Sequence, residues 1–221
     1  NIITGDGTTG SLIVNHKDIN KIAFTGSTQV GKLIQKSLAG RDVGLTLELG
    51  GKAANIVYED AAIDQAVEGV VNGIFFNQGH VCCAGSRLLL QESIHDEFIT
   101  KLEKRMQTLR VGNPLDKNTD IGAVNSKEQL NKIEELVNEG VSDGGKIFQT
   151  ECELPGNGFW FKPTLFTDVQ PSYSIAREEI FGPVLTTLTF RTPQEAIEIA
   201  NNTEYGLSAV SYTHLRAHET T

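Results

Sequence analysis

Apolar positions along this chain switch repeatedly between a period near two and a period near 3.6, and that alternation is the first thing to interpret. Residues 21–24 read as a short apolar strand, 25–28 as a turn, and Leu33, Ile34 and Leu38 fall at helical spacing. Residues 44–49 alternate like a strand and stop at Gly50 and Gly51, after which 53–58 form another apolar run. Asp60 is placed to cap a helix whose inner face is Ala62, Ala66, Val67, Val70, Val71, Ile74 and Phe75. A strand follows at 87–91, then a long amphipathic helix marked by Ile94, Phe98, Leu102, Met106 and Leu109, ending before Gly112 and Pro114. Ser126 with Gln129 spells a capping box for a helix through Val137. Strands are expected near 146–149, 162–166 and 184–190, and a helix over 193–201. Strand and helix alternate throughout, which predicts an α/β architecture with a largely parallel sheet and a domain seam at Gly50 and Gly51.

Composition narrows the class. The 221 residues are 39% hydrophobic, enough for one large or two modest cores. Acids outnumber bases 28 to 19, for a formal net charge of −9, and the Lys and Arg residues are scattered, so nucleic acid is not an expected partner. Three cysteines cannot all pair, a pattern that suits a reducing compartment, and cytoplasm is the expected location. No apolar run has the length of a membrane span and the first residues lack a signal-peptide pattern. They also lack an initiator Met and read like the interior of a domain, so a longer parent protein is expected.

Four segments can carry chemistry. Residues 75–87, F-F-N-Q-G-H-V-C-C-A-G-S-R, hold Cys82 and Cys83 between Gly79 and Gly85, where a flexible backbone can present a thiolate at a cleft; buried core cysteines are the alternative. The loop 26–31, G-S-T-Q-V-G, between strand and helix, can receive a phosphate on its backbone amides and the Ser27 hydroxyl. With Lys32 it also spells most of a P-loop, but Leu33 stands where that loop needs Ser or Thr for magnesium. Glu48, on an apolar strand before Gly-Gly, either faces solvent or serves as a general base at a cleft. In 178–184, E-E-I-F-G-P-V, Phe181 can pack on a flat ligand while a neighbouring carboxylate binds sugar hydroxyls.

Together these segments resemble the aldehyde dehydrogenase family: F-T-G-S-T at 24–28, L-E-L-G-G-K at 47–52, G-x-x-C-x-A-G-S-R at 79–87 and E-E-I-F-G-P-V at 178–184, in the family's order and separations, over residue 1 to about Ala209. The resemblance implies a partial Rossmann-type cofactor domain over 1–50 and an incomplete α/β catalytic domain over 51–209. It implies Cys82 as nucleophile, with Cys83 a bystander, and Glu48 as general base. Gly26, Ser27, Leu49, Gln129, Lys132, Glu179 and Phe181 would bind NAD or NADP. The substrate would be a small aldehyde, oxidised through a cysteine thiohemiacetal and thioester, and the parent would be a homo-oligomer, dimer or tetramer. The family's amino-terminal segment and its carboxyl-terminal strands have no counterpart in this sequence, so the chain alone is expected to be inactive.

His80 stands where the family commonly has Gln, and can favour the thiolate or simply hydrogen-bond the loop. Residues 210–221 read as a non-native tail, and its His214 and His218, four apart, lack a companion carboxylate, so no metal is expected. The competing readings are a P-loop nucleotide-binding protein and a catalytically silent, structural member of the family.

Overall fold

A computed structural model describes residues 1–214 and the backbone of 217–220. They divide into two compact units, Asn1–Gly50 and Gly51–Thr221.

The smaller unit runs α1 (Gly7–Asn15), β1 (Lys21–Thr25), α2 (Thr28–Leu38) and β2 (Gly44–Glu48). Asp6 starts α1 by accepting from the Thr8 and Thr9 amides at 2.9 and 3.3 Å, and Ser27 starts α2 by accepting from the Val30 amide at 3.3 Å. Such caps satisfy amides that the first helical turn leaves without partners. The strands pair in parallel from Lys21↔Gly44 to Thr25↔Glu48, a pairing that needs a crossover, which α2 supplies. Ile22, Ile34 and Leu38 form its small core, and the Arg41 guanidinium fastens the end of α1 through the Val14 and His16 carbonyls at 2.8 and 2.9 Å.

The larger unit contains β3 (Ala54–Val57), α3 (Ile63–Phe75), β4 (Arg87–Gln91), α4 (His95–Met106), α5 (Lys127–Ser142), β5 (Lys146–Gln149), β6 (Thr164–Thr167), α6 (Ser174–Arg177), β7 (Val184–Phe190), α7 (Pro193–Asn201), β8 (Ala209–Tyr212) and β9 (Ala217–Thr220). They make a seven-stranded sheet in the order β5-β6-β7-β4-β3-β8-β9. The five central strands are parallel, and the two outermost pairings, β5 with β6 and β8 with β9, are antiparallel. Strict alternation along β7 sends Leu185 to one face, with Leu88, Leu90, Val57, α3 and α4. Val184, Leu188 and Phe190 go to the other, where α5, α6 and α7 pack. Both faces are covered, which is why β3, β4 and β7 read as nearly unbroken apolar runs.

The α/β reading and the order of its elements hold, with local corrections. Asp60 does not cap α3, whose cap residue Ala62 makes no side-chain bond; Asp60 instead pairs with His214 Nδ1 at 2.7 Å. The capping box is half formed: Ser126 accepts from the Gln129 amide at 3.1 Å, but the Gln129 side chain turns elsewhere. Helix α4 ends at Met106 with Leu109 buried beyond it, and α5 continues past Val137 to Ser142. Helix α1, the single turn α6 and the last two strands have no strong hydrophobic period and were not foreseen. Strand β8 crosses the expected boundary at Ala209, pairing with β3 from Ala54↔Ala209 to Val57↔Tyr212. Residues 215, 216 and 221 and the His218 side chain, in the expected tail, lie outside the described residues.

Phe98 has no exposed surface and joins α4 to the core shared with α3. Replacing it with Ala is expected to lower stability by about 3–5 kcal/mol, the usual range for a buried aromatic truncated to a cavity. Urea denaturation followed by circular dichroism measures it.

Candidate active site

Helix α3 buries Val67, Val70, Val71, Ile74 and Phe75, and so delivers its carboxyl end, with the cysteine loop, to the amino end of the central strand β4. The chain then turns sharply through three left-handed residues, Asn77 (φ 49°), Gln78 (φ 48°) and Gly79 (φ 76°). The first two are not glycine, a costly conformation that the surroundings must enforce. Cys82 is half-buried and Cys83 exposed. The loop is tied down behind them, where the Gly85 amide donates to Gly73 O at 3.1 Å and the buried Asn55 Nδ2 donates to Gly85 O at 3.3 Å.

Three of the four motif segments meet in the larger unit. A Cβ at Gly51 would collide with the Cys82 carbonyl oxygen, and one at Gly79 with the Gly182 carbonyl, so both glycines let backbone approach backbone. The Gly51 amide donates to Glu179 Oε1 at 3.0 Å, joining the end of the L-E-L-G-G-K segment to the expected ribose carboxylate. Phe181 is itself left-handed (φ 55°), and its ring lies flat on His80, with centroids 5.1 Å apart and planes 4° apart. Thus one face of the ring expected to meet a flat ligand is covered by His80. Gln129, expected near a ribose, sends Nε2 to Ile180 O at 2.8 Å and Phe181 O at 3.1 Å; Lys132, one turn later, is exposed. His80 forms no bond through Nε2, which is buried without a partner, and burial lowers its pKa. A ring held neutral is poorly suited to stabilise a thiolate by charge.

In the smaller unit the glycine loop leads into the amino end of α2. The Gly26 amide is engaged by Glu48 O at 3.0 Å, and the Ser27 hydroxyl accepts from Val30. Leu49 fills the space that a side chain at Gly31 would need, and Glu48 ends β2 with an exposed side chain. The amino terminus of α2 is suited in kind to a phosphate. Among the described residues, no group of three or more His, Cys, Asp or Glu could hold a metal ion, and no helix is long and apolar enough to cross a membrane.

The profile of the aldehyde dehydrogenase family matches residues 1–220. The chain belongs to the aldehyde dehydrogenase family. Retinal dehydrogenase 2 of Homo sapiens is 48% identical over 220 residues, covering 97% of this chain and 42% of the relative. An aldehyde dehydrogenase of Emericella nidulans is 47% identical over 216 residues, covering 96% and 43%. Among solved structures, an NAD-dependent aldehyde dehydrogenase from Sinorhizobium meliloti superposes with a TM-score of 0.92 at 40% identity, covering 96% of this chain and 42% of that one. The NAD+ complex of a Bacillus cereus aldehyde dehydrogenase gives 0.91 at 40% identity, covering 95% and 43%. The chain therefore spans less than half the length of these relatives. Its family match also continues past Ala209, where the sequence motifs end.

Sequence reasoning missed two residues of this aldehyde dehydrogenase chain. Lys52 is 1% exposed and its Nζ has no hydrogen-bond partner. Burial, and then the Arg87 cation, bring its pKa from 10.5 down to about 7, against the pull of Glu179 and Glu178. Its signal was a lone Lys between a glycine pair and the apolar run 53–57. Tyr205 lies where burial and then Glu178 and Glu179 raise its pKa, and a tyrosine in a polar loop gave no warning of that.

Lys52 sets a pH dependence. The unfolded chain keeps the Lys52 proton up to about its ordinary 10.5 while the folded chain gives it up near 7, so stability rises with pH between those values. Between pH 7 and 9 the gain should be about 2 kcal/mol, from roughly 1.4 kcal/mol per unit of pH once the folded-state proton is gone. Lys52→Met should be more stable than the unaltered chain at pH 7 and should lack that gain, as read by urea denaturation at both pH values.

Proposed function

We propose that the parent protein oxidises an aldehyde to a carboxylic acid with NAD or NADP, with Cys82 as nucleophile and Glu48 as general base. The observation that carries the reading is the junction of Gly51, Cys82 and Glu179, which joins three motif segments through one backbone contact and one 3.0 Å hydrogen bond. The names of the S. meliloti and B. cereus structures, an NAD-dependent enzyme and an NAD+ complex, support the cofactor.

The Cys82 thiolate adds to the carbonyl carbon, forming a C–S bond and an alkoxide that accepts hydrogen bonds from donors such as the Cys82 backbone amide. The oxidised nicotinamide, when bound, supplies the hydride acceptor that turns this adduct into a thioester. Glu48 then takes a proton from water, the hydroxide adds to the thioester carbon, and the C–S bond breaks to release the acid and the Cys82 thiolate, Glu48 passing its proton to solvent. Ser27 at the start of α2 would meet the diphosphate and Glu179 the nicotinamide ribose, with Gly26, Leu49 and Phe181 lining the nucleotide. Gln129 holds Phe181, and Lys132 would face the second ribose. Of the relatives described above, one is named for retinal and the others for no particular aldehyde, so the substrate class of the parent is an aldehyde; an oligomer in the cytoplasm is our reading.

In the parent, Cys82→Ser and Glu48→Gln should each lower aldehyde-dependent NADH formation by about 10²-fold or more, as expected for loss of a nucleophile or a general base. Retention of activity in Cys82→Ser with loss in Cys83→Ser would reverse the assignment of the two thiols.

A further inference from the structure

We propose that His80 is a positioning residue for Cys82: its neutral imidazole, stacked flat on Phe181, latches the cysteine loop to the 178–183 loop, and protonation of that ring loosens the latch. The inference rests on the reading of Cys82 as the reacting sulfur and goes beyond it.

The geometry is a chain of fixed contacts. Gln129, anchored in α5, holds the Ile180 and Phe181 carbonyls through one amide nitrogen. Those two bonds pin the left-handed turn that presents the Phe181 ring, and His80 lies parallel upon it. His80 is two residues before Cys82, on the far side of the left-handed turn at 77–79, whose Gly79 packs against Gly182. Asn77 Nδ2 also donates to His80 O at 3.1 Å, closing the turn on itself. The stack is therefore a side-chain contact between the nucleophile's loop and the loop of the expected ribose carboxylate.

Protonation opposes the stack for a plain reason. A neutral ring can keep its hydrogen on Nδ1, but an imidazolium must carry N–H at both nitrogens, and Nε2 is buried with no acceptor. Attraction of a cation to the Phe181 face acts the other way, but it leaves that N–H unpaired. The titratable groups on the surrounding elements are Cys82 and Cys83 on the same loop, Glu178 and Glu179 beside Phe181, Lys132 on α5 and Lys52 next to Gly51. None accounts for the shift of His80, which burial alone lowers from 6.5. With the folded value below the unfolded one, the latch is intact above about pH 6.5 and weakens as pH falls below it.

The test compares the full 221-residue chain with His80→Ala and His80→Phe. Phe keeps a flat ring and places a C–H where Nε2 has no partner. Amide exchange of peptide 76–87 at pH 7.5 should be about tenfold faster in His80→Ala and return to the original rate in His80→Phe. Iodoacetamide labelling should give a Cys82-to-Cys152 rate ratio that changes between pH 7.5 and 5.5 in the unaltered chain and stays constant in His80→Phe. Equal exchange in the unaltered chain and His80→Ala, or a pH response that persists in His80→Phe, would overturn the latch. Cys82 labelling no faster than Cys83 would instead count against the nucleophile reading and would leave the exchange contrast standing.

Discussion

Backbone packed directly on backbone is the constraint on which the larger unit's site depends. Gly51 lies against the Cys82 carbonyl and Gly79 against Gly182, so the segments before β3, β4 and β7 share one small volume. These strands are parallel, and β4 lies between the other two. All three segments precede their strands, which puts Cys82, Glu179 and the Gly-Gly corner at the amino ends. Open parallel sheets usually bind ligands at the carboxyl ends, which is where the smaller unit carries Ser27, after β1, and Glu48, closing β2. A side chain at residue 51 or 79 would overlap the facing carbonyl and push these loops apart.

Two buried cations beneath that junction show how differently burial can be accommodated. Arg87 is 3% exposed, yet its guanidinium donates to Lys52 O at 2.8 Å, Ile199 O at 3.0 Å and Ala200 O at 2.7 Å. The latter two are carbonyls at the carboxyl end of α7, where the helix dipole favours positive charge. Burial still draws its pKa down to about 10, but it stays charged at neutral pH and clamps β3, β4 and α7 together. Lys52 has no comparable acceptors, and its neighbours include that same guanidinium. A compact ammonium with one attachment point cannot copy a planar fork, so the proton is the part that yields.

Local periodicity made most of this fold legible. Helix α7 and strands β4, β5 and β7 have the boundaries their patterns announced; β4 and β7 are runs covered on both faces, which leave strong marks, while β5 is a mostly exposed edge strand. The Asp60 expectation failed because cap chemistry is local only until a distant partner competes, and His214 is such a partner. Gln129 obeyed tertiary demand for the same reason: the carbonyls of a left-handed turn 51 and 52 positions away outbid the box beside it. At the site, the family resemblance marked Cys82, Glu179 and Phe181, but not the contacts joining them. Stacking of His80 on Phe181 and the buried Nζ of Lys52 depend on which loops meet, and no window along the chain contains that information.

The pair of cysteines shows what the three-dimensional arrangement adds. In sequence they are equivalent thiols flanked by glycines. In the structure Cys82 is half-buried with its carbonyl pressed on Gly51, while Cys83 is exposed and its carbonyl accepts from Ser208 Oγ at 3.5 Å. The carbonyl of Cys82 thus lies close against other backbone, whereas that of Cys83 meets a flexible hydroxyl at long range. A nucleophile must be placed within a few tenths of an ångström of its target, and rigid backbone costs less to hold there than a mobile loop would. By that criterion the backbone packing is consistent with our proposal that Cys82 is the reacting sulfur.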